Sequence, residues 1–268
     1  MNVWWIKFVK RHMRTMVVAF AVSALAAPVV IASAVDRWTD ETERVSRTVK
    51  LDPGGTLRVN SFSGRVTITG ADAAEVVVEA VRRAPRSRLD RIKLDVHMEG
   101  SSRVVIETNH RERSWWEFSG NNVVDTDLDV KVPRRTNLDV SVFSAPVTID
   151  GVQGSEKLNS FSARMTLNDV AGPVRAHTFS GSILIREKTL ENDSSIDVNT
   201  FSGNVEVHVP ESARGTVTFN SFSGRLNSDM PLTLRTGGSR RALKAELGGG
   251  GGPTLNFKTF SGSVRIDR

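Results

Sequence analysis

From residue 49 onward apolar and polar residues alternate in short runs. "TLRVNS", "VTITG", "AEVVVEAV", "RVVIETN" and "DTDLDVKVP" each place every second side chain on one face. Gly, Asn, Asp and Pro separate the runs, the pattern of half-buried β-strands joined by turns. One stretch breaks it, "PRSRLDRI" (85–92), whose leading proline predicts a short helix. No helical period is sustained elsewhere, so the fold class is all-β.

The alternation carries a repeat. "NSFSGRVTI", "SVFSAPVTI", "NSFSARMTL", "HTFSGSILI", "NTFSGNVEV", "NSFSGRLNS" and "KTFSGSVRI" share one frame, centred on Phe62, Phe143, Phe161, Phe179, Phe201, Phe222 and Phe260. From Phe143 the intervals are 18, 18, 22, 21 and 38 residues, the last close to two units. Each unit then reads as one ~20-residue coil of a parallel single-stranded β-solenoid, stacked at about 4.8 Å. An isolated coil cannot bury its apolar face. The Phe62 copy is therefore expected to stack on the Phe143 copy across the intervening 71–135, which reads as an antiparallel β-element with short loops such as "EGSS" (99–102).

Aligned on Phe, the residues three before it are Val59, Val140, Leu158, Ala176, Val198, Phe219 and Phe257. The residues five before it are also apolar, with Glu156 the exception, and so are those four after it. These sets have opposite parity, so the chain must change phase between them. A change at the glycine turns Phe outward; a change at the preceding polar pair turns it inward. Ala145 and Ala163 in the glycine frame ask only for a small side chain, and an exposed Phe row would be an unusual apolar patch. Both arguments favour inward Phe. The repeat corner then comprises the seven Phe with Gly64, Gly181, Gly203, Gly224 and Gly262.

The rest of the chain adds an export signal. A basic stretch ending at Arg14 precedes the apolar run "TMVVAFAVSALAAPVVIA" (15–32), followed by "ASA" at Ala32 to Ala34. Residues 1–34 read as a signal peptide or membrane anchor. Pro28 interrupts the run and favours cleavage; retention would make residues 15–32 a membrane tether. Residues 35–48 are polar without an apolar period and read as a flexible linker. Residues 49–135 hold the first coil and the antiparallel element, and 136–268 the solenoid repeats. Lys7, Lys10, Arg11 and Arg14 account for much of the excess of 36 basic over 30 acidic residues; without residues 1–34 the balance is 32 against 30. No concentrated basic charge remains to neutralise phosphates, so nucleic acid is not an expected partner. There is no cysteine, hence no disulfide or lipoprotein tether, and the core alone must hold the fold.

The seven copies in register, together with Val132-Pro133 after the first β-region and a closing motif at residues 258–266, resemble the bacterial putative adhesin family, a domain of unknown function. The similarity runs from about Val49 to Arg268. It implies an exported or membrane-tethered β-solenoid with no transferable catalytic or cofactor-binding residues. The uniform Phe before Ser-Gly departs from that pattern.

Candidate chemistry is thin. His12 lies in the leader, and His97, His110, His177 and His208 lack metal-ligand spacing, so no metal or cofactor is expected. Asp125, Asp127 and Asp129 share one strand face but form a straight row without the wrapping oxygens calcium needs. Ser63, Ser180 and Ser202 lack a nucleophile elbow and read as corner residues bonding to backbone. Gly248 to Gly252 has no Lys-Ser/Thr after it and reads as a flexible loop. Trp115 and Trp116 beside Arg113 could offer one exposed ring.

Two function classes remain. One is a non-enzymatic, adhesin-like binding or scaffolding protein of the periplasm or cell surface, with an envelope protein or glycan as partner. The alternative is a carbohydrate-active β-helix enzyme, which needs paired carboxylates on neighbouring coils. The outward residues five after each Phe, Thr67, Thr148, Thr166, Leu184, Glu206, Asn227 and Arg265, supply none. The final coil, "KTFSGSVRIDR", is expected to leave a free sheet edge able to accept a strand from a partner or a second copy.

Overall fold

The computed structural model describes residues 40–111, 123–191, 194–235 and 242–268. The N-terminal part holds β1 (Glu41–Lys50), β2 (Thr56–Ser61), β3 (Val66–Ala71), β4 (Glu75–Ala84), α1 (Arg86–Arg91), β5 (Ile92–Glu99), β6 (Arg103–Arg111) and β7 (Asp125–Pro133). Strand pairs follow, one pair to each coil: β8 (Asn137–Val142) with β9 (Val147–Asp150), β10 (Glu156–Ser162) with β11 (Met165–Val170), and β12 (Val174–Ser180) with β13 (Ile183–Glu187). Next come β14 (Ile196–Ser202) with β15 (Val205–His208), and β16 (Gly215–Ser221) with β17 (Arg225–Ser228). The described strands end with β18 (Leu232–Leu234), β19 (Ala242–Leu247), β20 (Thr254–Ser261) and β21 (Ser263–Asp267).

Each Phe-Ser motif carries the chain from one sheet to the other. The first sheet runs β1-β4-β7-β3-β9-β11-β13-β15-β21-β17, and the second β18-β19-β16-β20-β14-β12-β10-β8-β2-β6-β5. Equivalent motif residues pair in register, as in Val140 with Leu158, Leu158 with Ala176, and Ala176 with Val198. These middle pairings are parallel. At the ends, β1 with β4, β4 with β7, β5 with β6, β16 with β19 and β18 with β19 are antiparallel. The fold is thus all-β and solenoid-like, with mixed strand directions rather than parallel pairing throughout.

The core lies between the sheets and follows from the alternation. Val59, Val140, Leu158, Ala176, Val198, Phe257 and Phe219 line it from one side; Val66, Val147, Met165, Ile183, Val205 and Val264 face them. Fully burying each larger aliphatic side chain is worth about 1.5–3 kcal/mol, and repetition replaces the missing disulfides. Residues expected to stack across the sequence gap do so: β2 pairs with β8 and β3 with β9. The far face of this first coil is covered by β6 on β2 and β7 on β3, so the intervening segment adds the next layer of the stack.

Two expectations are revised. Residues 41–48 of the supposed linker, together with Val49 and Lys50, form β1, a mostly exposed edge strand paired along its length with β4. Its polarity misled because an edge strand covers little core, and only Val45 and Val49 reach it. Arg82 of β4 is buried beside it, bonded to Glu43 and to the carbonyl of Ile92. Secondly, the last coil is not at an edge. β20 lies between β14 and β16, and β21 between β15 and β17, so the outermost coil is the earlier one around Phe222. The glycine loop between β19 and β20 lies in the left-handed region throughout: Gly248 to Gly252 all have φ between 60° and 88°, which only glycine adopts readily. The short helix after Pro85 is present as α1. The leader and Trp115, Trp116 and Arg113 lie outside the described residues. Among the described residues no helix is long and apolar enough to cross a membrane.

Candidate functional site: an exposed phenylalanine ladder

The seven motif Phe point outward, contrary to the inward orientation expected from sequence. Six are 42–57% exposed and Phe143 is half-buried. Their rings stack face to face in the order Phe62, Phe143, Phe161, Phe179, Phe201, Phe260 and Phe222, with centroids 4.7–5.2 Å apart and planes within 5°. The cause is parity. Alternation persists to the residue before Phe, so Ser61, Val142, Thr178, Thr200, Ser221 and Thr259 are turned inward and buried although most are polar. The phase change falls at Ser-Gly. Stacking also hides both faces of each interior ring, which lowers the apolar cost of exposure.

The glycines answer to close approach between coils. A Cβ on Gly203 would lie 1.8 Å from the carbonyl oxygen of Gly181, and one on Gly262 would lie 2.1 Å from that of Gly203. Ala145 and Ala163, at the equivalent positions of their coils, are buried. Among the motif serines, Ser144 and Ser223 donate to the carbonyls of Phe62 and Phe260 on the neighbouring coils, at 3.3 Å each, but the buried Ser63 hydroxyl, expected to bond to backbone, meets no hydrogen-bond partner among the described residues.

An open groove of about 1110 Å³ runs beside the ladder. Its lining includes the Phe rings and the outward residues two before them: Ser141, Asn159, His177, Asn199, Asn220 and Lys258. The groove is apolar along the rings, hydrogen-bonding along the Asn column, and contains no carboxylate.

Elsewhere the side chains cluster more than their sequence spacing suggests. Asp125 and Asp127 project from β7 as read, but both meet Arg83, at 3.9 and 2.9 Å, and Asp127 also meets Arg65. His97 and His110 are brought together with Asp95 and Glu107 on the β5–β6 hairpin. His208 sits between Glu206 and Asp267, with Nε2 and Nδ1 at 2.9 and 2.6 Å from their carboxylates. Sequence spacing missed these groups because each draws on two strands.

The core itself holds two acids. Glu156 and Glu187 are buried, and no oxygen of either meets hydrogen-bond geometry. Burial pushes Glu156 up to about 9, with the charge of Glu187 adding to the shift and nearby backbone N–H groups offsetting part of it. Burial pushes Glu187 up to about 8. Both are therefore neutral acids at neutral pH.

Two sheets of mixed strand order, with stacked phenylalanines on the outside, define an all-β, solenoid-like fold. Within that class the chain belongs to the Toastrack DUF4097 family, whose match covers residues 117–267. Solved structures that match in comparison include a putative cell adhesion protein from Clostridium sporogenes, at 11% identity and TM-score 0.49, covering 84% of this chain and 99% of that one. Putative adhesins from Bacteroides fragilis and Parabacteroides merdae share 9% and 10% identity, with TM-scores of 0.37 and 0.21. Each covers 84% of this chain, with 97% and 96% of its own length. No curated protein matches.

Proposed function

We propose that this chain is an exported, non-enzymatic binding or scaffolding protein of the bacterial envelope, in the periplasm or on the cell surface, built on a parallel single-stranded β-solenoid core with antiparallel ends. Its contact surface is the Phe ladder, which takes an apolar segment of a partner protein. The carrying observation is the exposure of the rings. At about 200 Å² per ring, the six exposed ones leave on the order of 500 Å² of aromatic surface in one strip, at the upper limit for a surface with no partner. Six intervals at the inter-strand spacing make the strip ~29 Å long, the length of a ~20-residue helix lying in the groove. A protein fits better than a glycan because ring stacking consumes the faces on which sugars would pack. The export reading is supported by the leader.

The enzyme alternative draws no support from the groove. Glycoside chemistry by the usual route needs two carboxylates astride the bond, and the groove lining has none. Of the outward acids on β7, Asp125 and Asp127 are engaged by Arg83, and Asp127 also by Arg65.

The test is photocrosslinking in living cells, with p-benzoylphenylalanine at position 201 and, as reference, at Thr166 on the other sheet. The expected result is a discrete protein adduct from position 201 that is absent from 166 and suppressed by Phe179→Ser. Adducts confined to glycan or lipid, or equal at both positions, refute the assignment.

A further inference from the structure

We propose that the β5–β6 hairpin carries a binding site for a divalent transition metal, best suited to Zn²⁺, formed by Asp95, Glu107 and His110. Asp95 and Glu107 stand opposite each other in the antiparallel ladder, and the register then shifts so that His110 stands opposite Lys93. Two steps along β5 thus match three along β6. This extra residue is a bulge, and it brings His110 round to the carboxylates despite its odd offset from Glu107. Nδ1 of His110 is 2.9 Å from a Glu107 oxygen and 3.9 Å from an Asp95 oxygen. Those separations bracket the ~3.3 Å edge of a tetrahedron with metal–ligand bonds of about 2.0 Å. A small adjustment suffices for three-point coordination, leaving a fourth position for water.

The surroundings suit the role. Nδ1 of His97 lies 2.9 Å from Oδ2 of Asp95, the kind of outer contact that fixes a ligating carboxylate. Among the described residues no lysine or arginine comes within ion-pair distance of Asp95 or Glu107, whereas Asp139 is held by Arg58 and Asp127 by Arg83. One imidazole and two carboxylates are a donor set for zinc rather than for calcium or magnesium. The group around His208 is not an equivalent site. Its carboxylates approach opposite nitrogens of the same ring, and Asp267 is also bound by Arg265.

The experiment is calorimetric titration of the purified, tag-free protein with zinc sulfate in chelator-treated buffer, repeated with Co²⁺ to read coordination from its visible bands. One equivalent should bind saturably, with a four-coordinate cobalt spectrum and a raised unfolding midpoint. His110→Gln, Asp95→Asn and Glu107→Gln should each weaken binding at least ~10-fold and abolish the midpoint shift. His97→Gln should weaken binding while keeping the stoichiometry, and His208→Gln should change nothing. Circular dichroism in EDTA reports whether each variant is folded, and with three ligand variants the loss of one to misfolding leaves two. Absence of saturable binding, binding unchanged in the folded ligand variants, or binding abolished by His208→Gln overturns the proposal.

Discussion

Replacing Glu156 by Gln should stabilise the protein at neutral pH and flatten its stability against pH. In the unfolded chain both Glu156 and Glu187 titrate near 4.5, whereas in the fold they titrate near 9 and 8. Between those limits the folded state holds more protons than the unfolded one, so stability is greatest at low pH and falls as pH rises. Each retained proton costs about 1.4 kcal/mol per pH unit, or about 3 kcal/mol per carboxyl at pH 7. The two acids should contribute a slope of about −3 kcal/mol per unit from roughly pH 5 to 8, about half that to roughly pH 9, and none above. Because the two acids interact, these steps belong to the pair. Glu156→Gln keeps the volume and removes one proton, gaining up to about 3 kcal/mol at pH 7 and nothing below about pH 4.5. Urea unfolding between about pH 4 and pH 9 reads both curves, with a constant m-value required for the comparison. If wild type and Glu156→Gln run parallel across that range, the buried-acid account is wrong.

Phe201→Ala should cost only about 1–2 kcal/mol, because the ring is 46% exposed and loses stacking at 4.9 and 4.7 Å rather than a full burial. A loss above about 3 kcal/mol in urea unfolding would place that ring in the core. Gly203→Ala should cost more than the loss of this whole aromatic side chain, about 3 kcal/mol, since its Cβ would meet the Gly181 carbonyl oxygen at 1.8 Å. An unchanged thermal midpoint for Gly203→Ala would contradict the close stacking of the coils.

The all-β class and the contact between Phe62 and Phe143 were legible because they rest on hydrophobic period and on copies of one motif. Glu156 was visible as the one polar residue in an apolar column, although Glu187, its companion in the core, had no frame to betray it. The orientation of Phe was not legible. Thr178, Thr200 and Thr259 face inward while looking like surface residues, which hid the continuing alternation. The β5–β6 cluster was hidden by a bulge, because period-2 counting puts Glu107 and His110 on opposite faces. The order of the coils was out of reach for a different reason: copies with the same apolar frame are interchangeable neighbours, so sequence alone does not rank them.

That order bears on how the molecule is assembled. The strands of the Phe222 coil hydrogen-bond on their inner side to β20 and β21, residues synthesised after them, while β14 and β15 wait for the same partners. The earlier coils can zip onto one another as they emerge. The Phe222 coil cannot, because its place is one strand beyond the growing end. Closure requires residues 254–267 to pair with β14 and β15 on one side and with β16 and β17 on the other, joining positions as far apart as Ile196 and Leu255. Such a non-local last step is slow and leaves four strand edges unpaired until it occurs. During that interval the nascent stack is a template for any extended chain nearby, and the protein's own late segment is the competitor that shuts it.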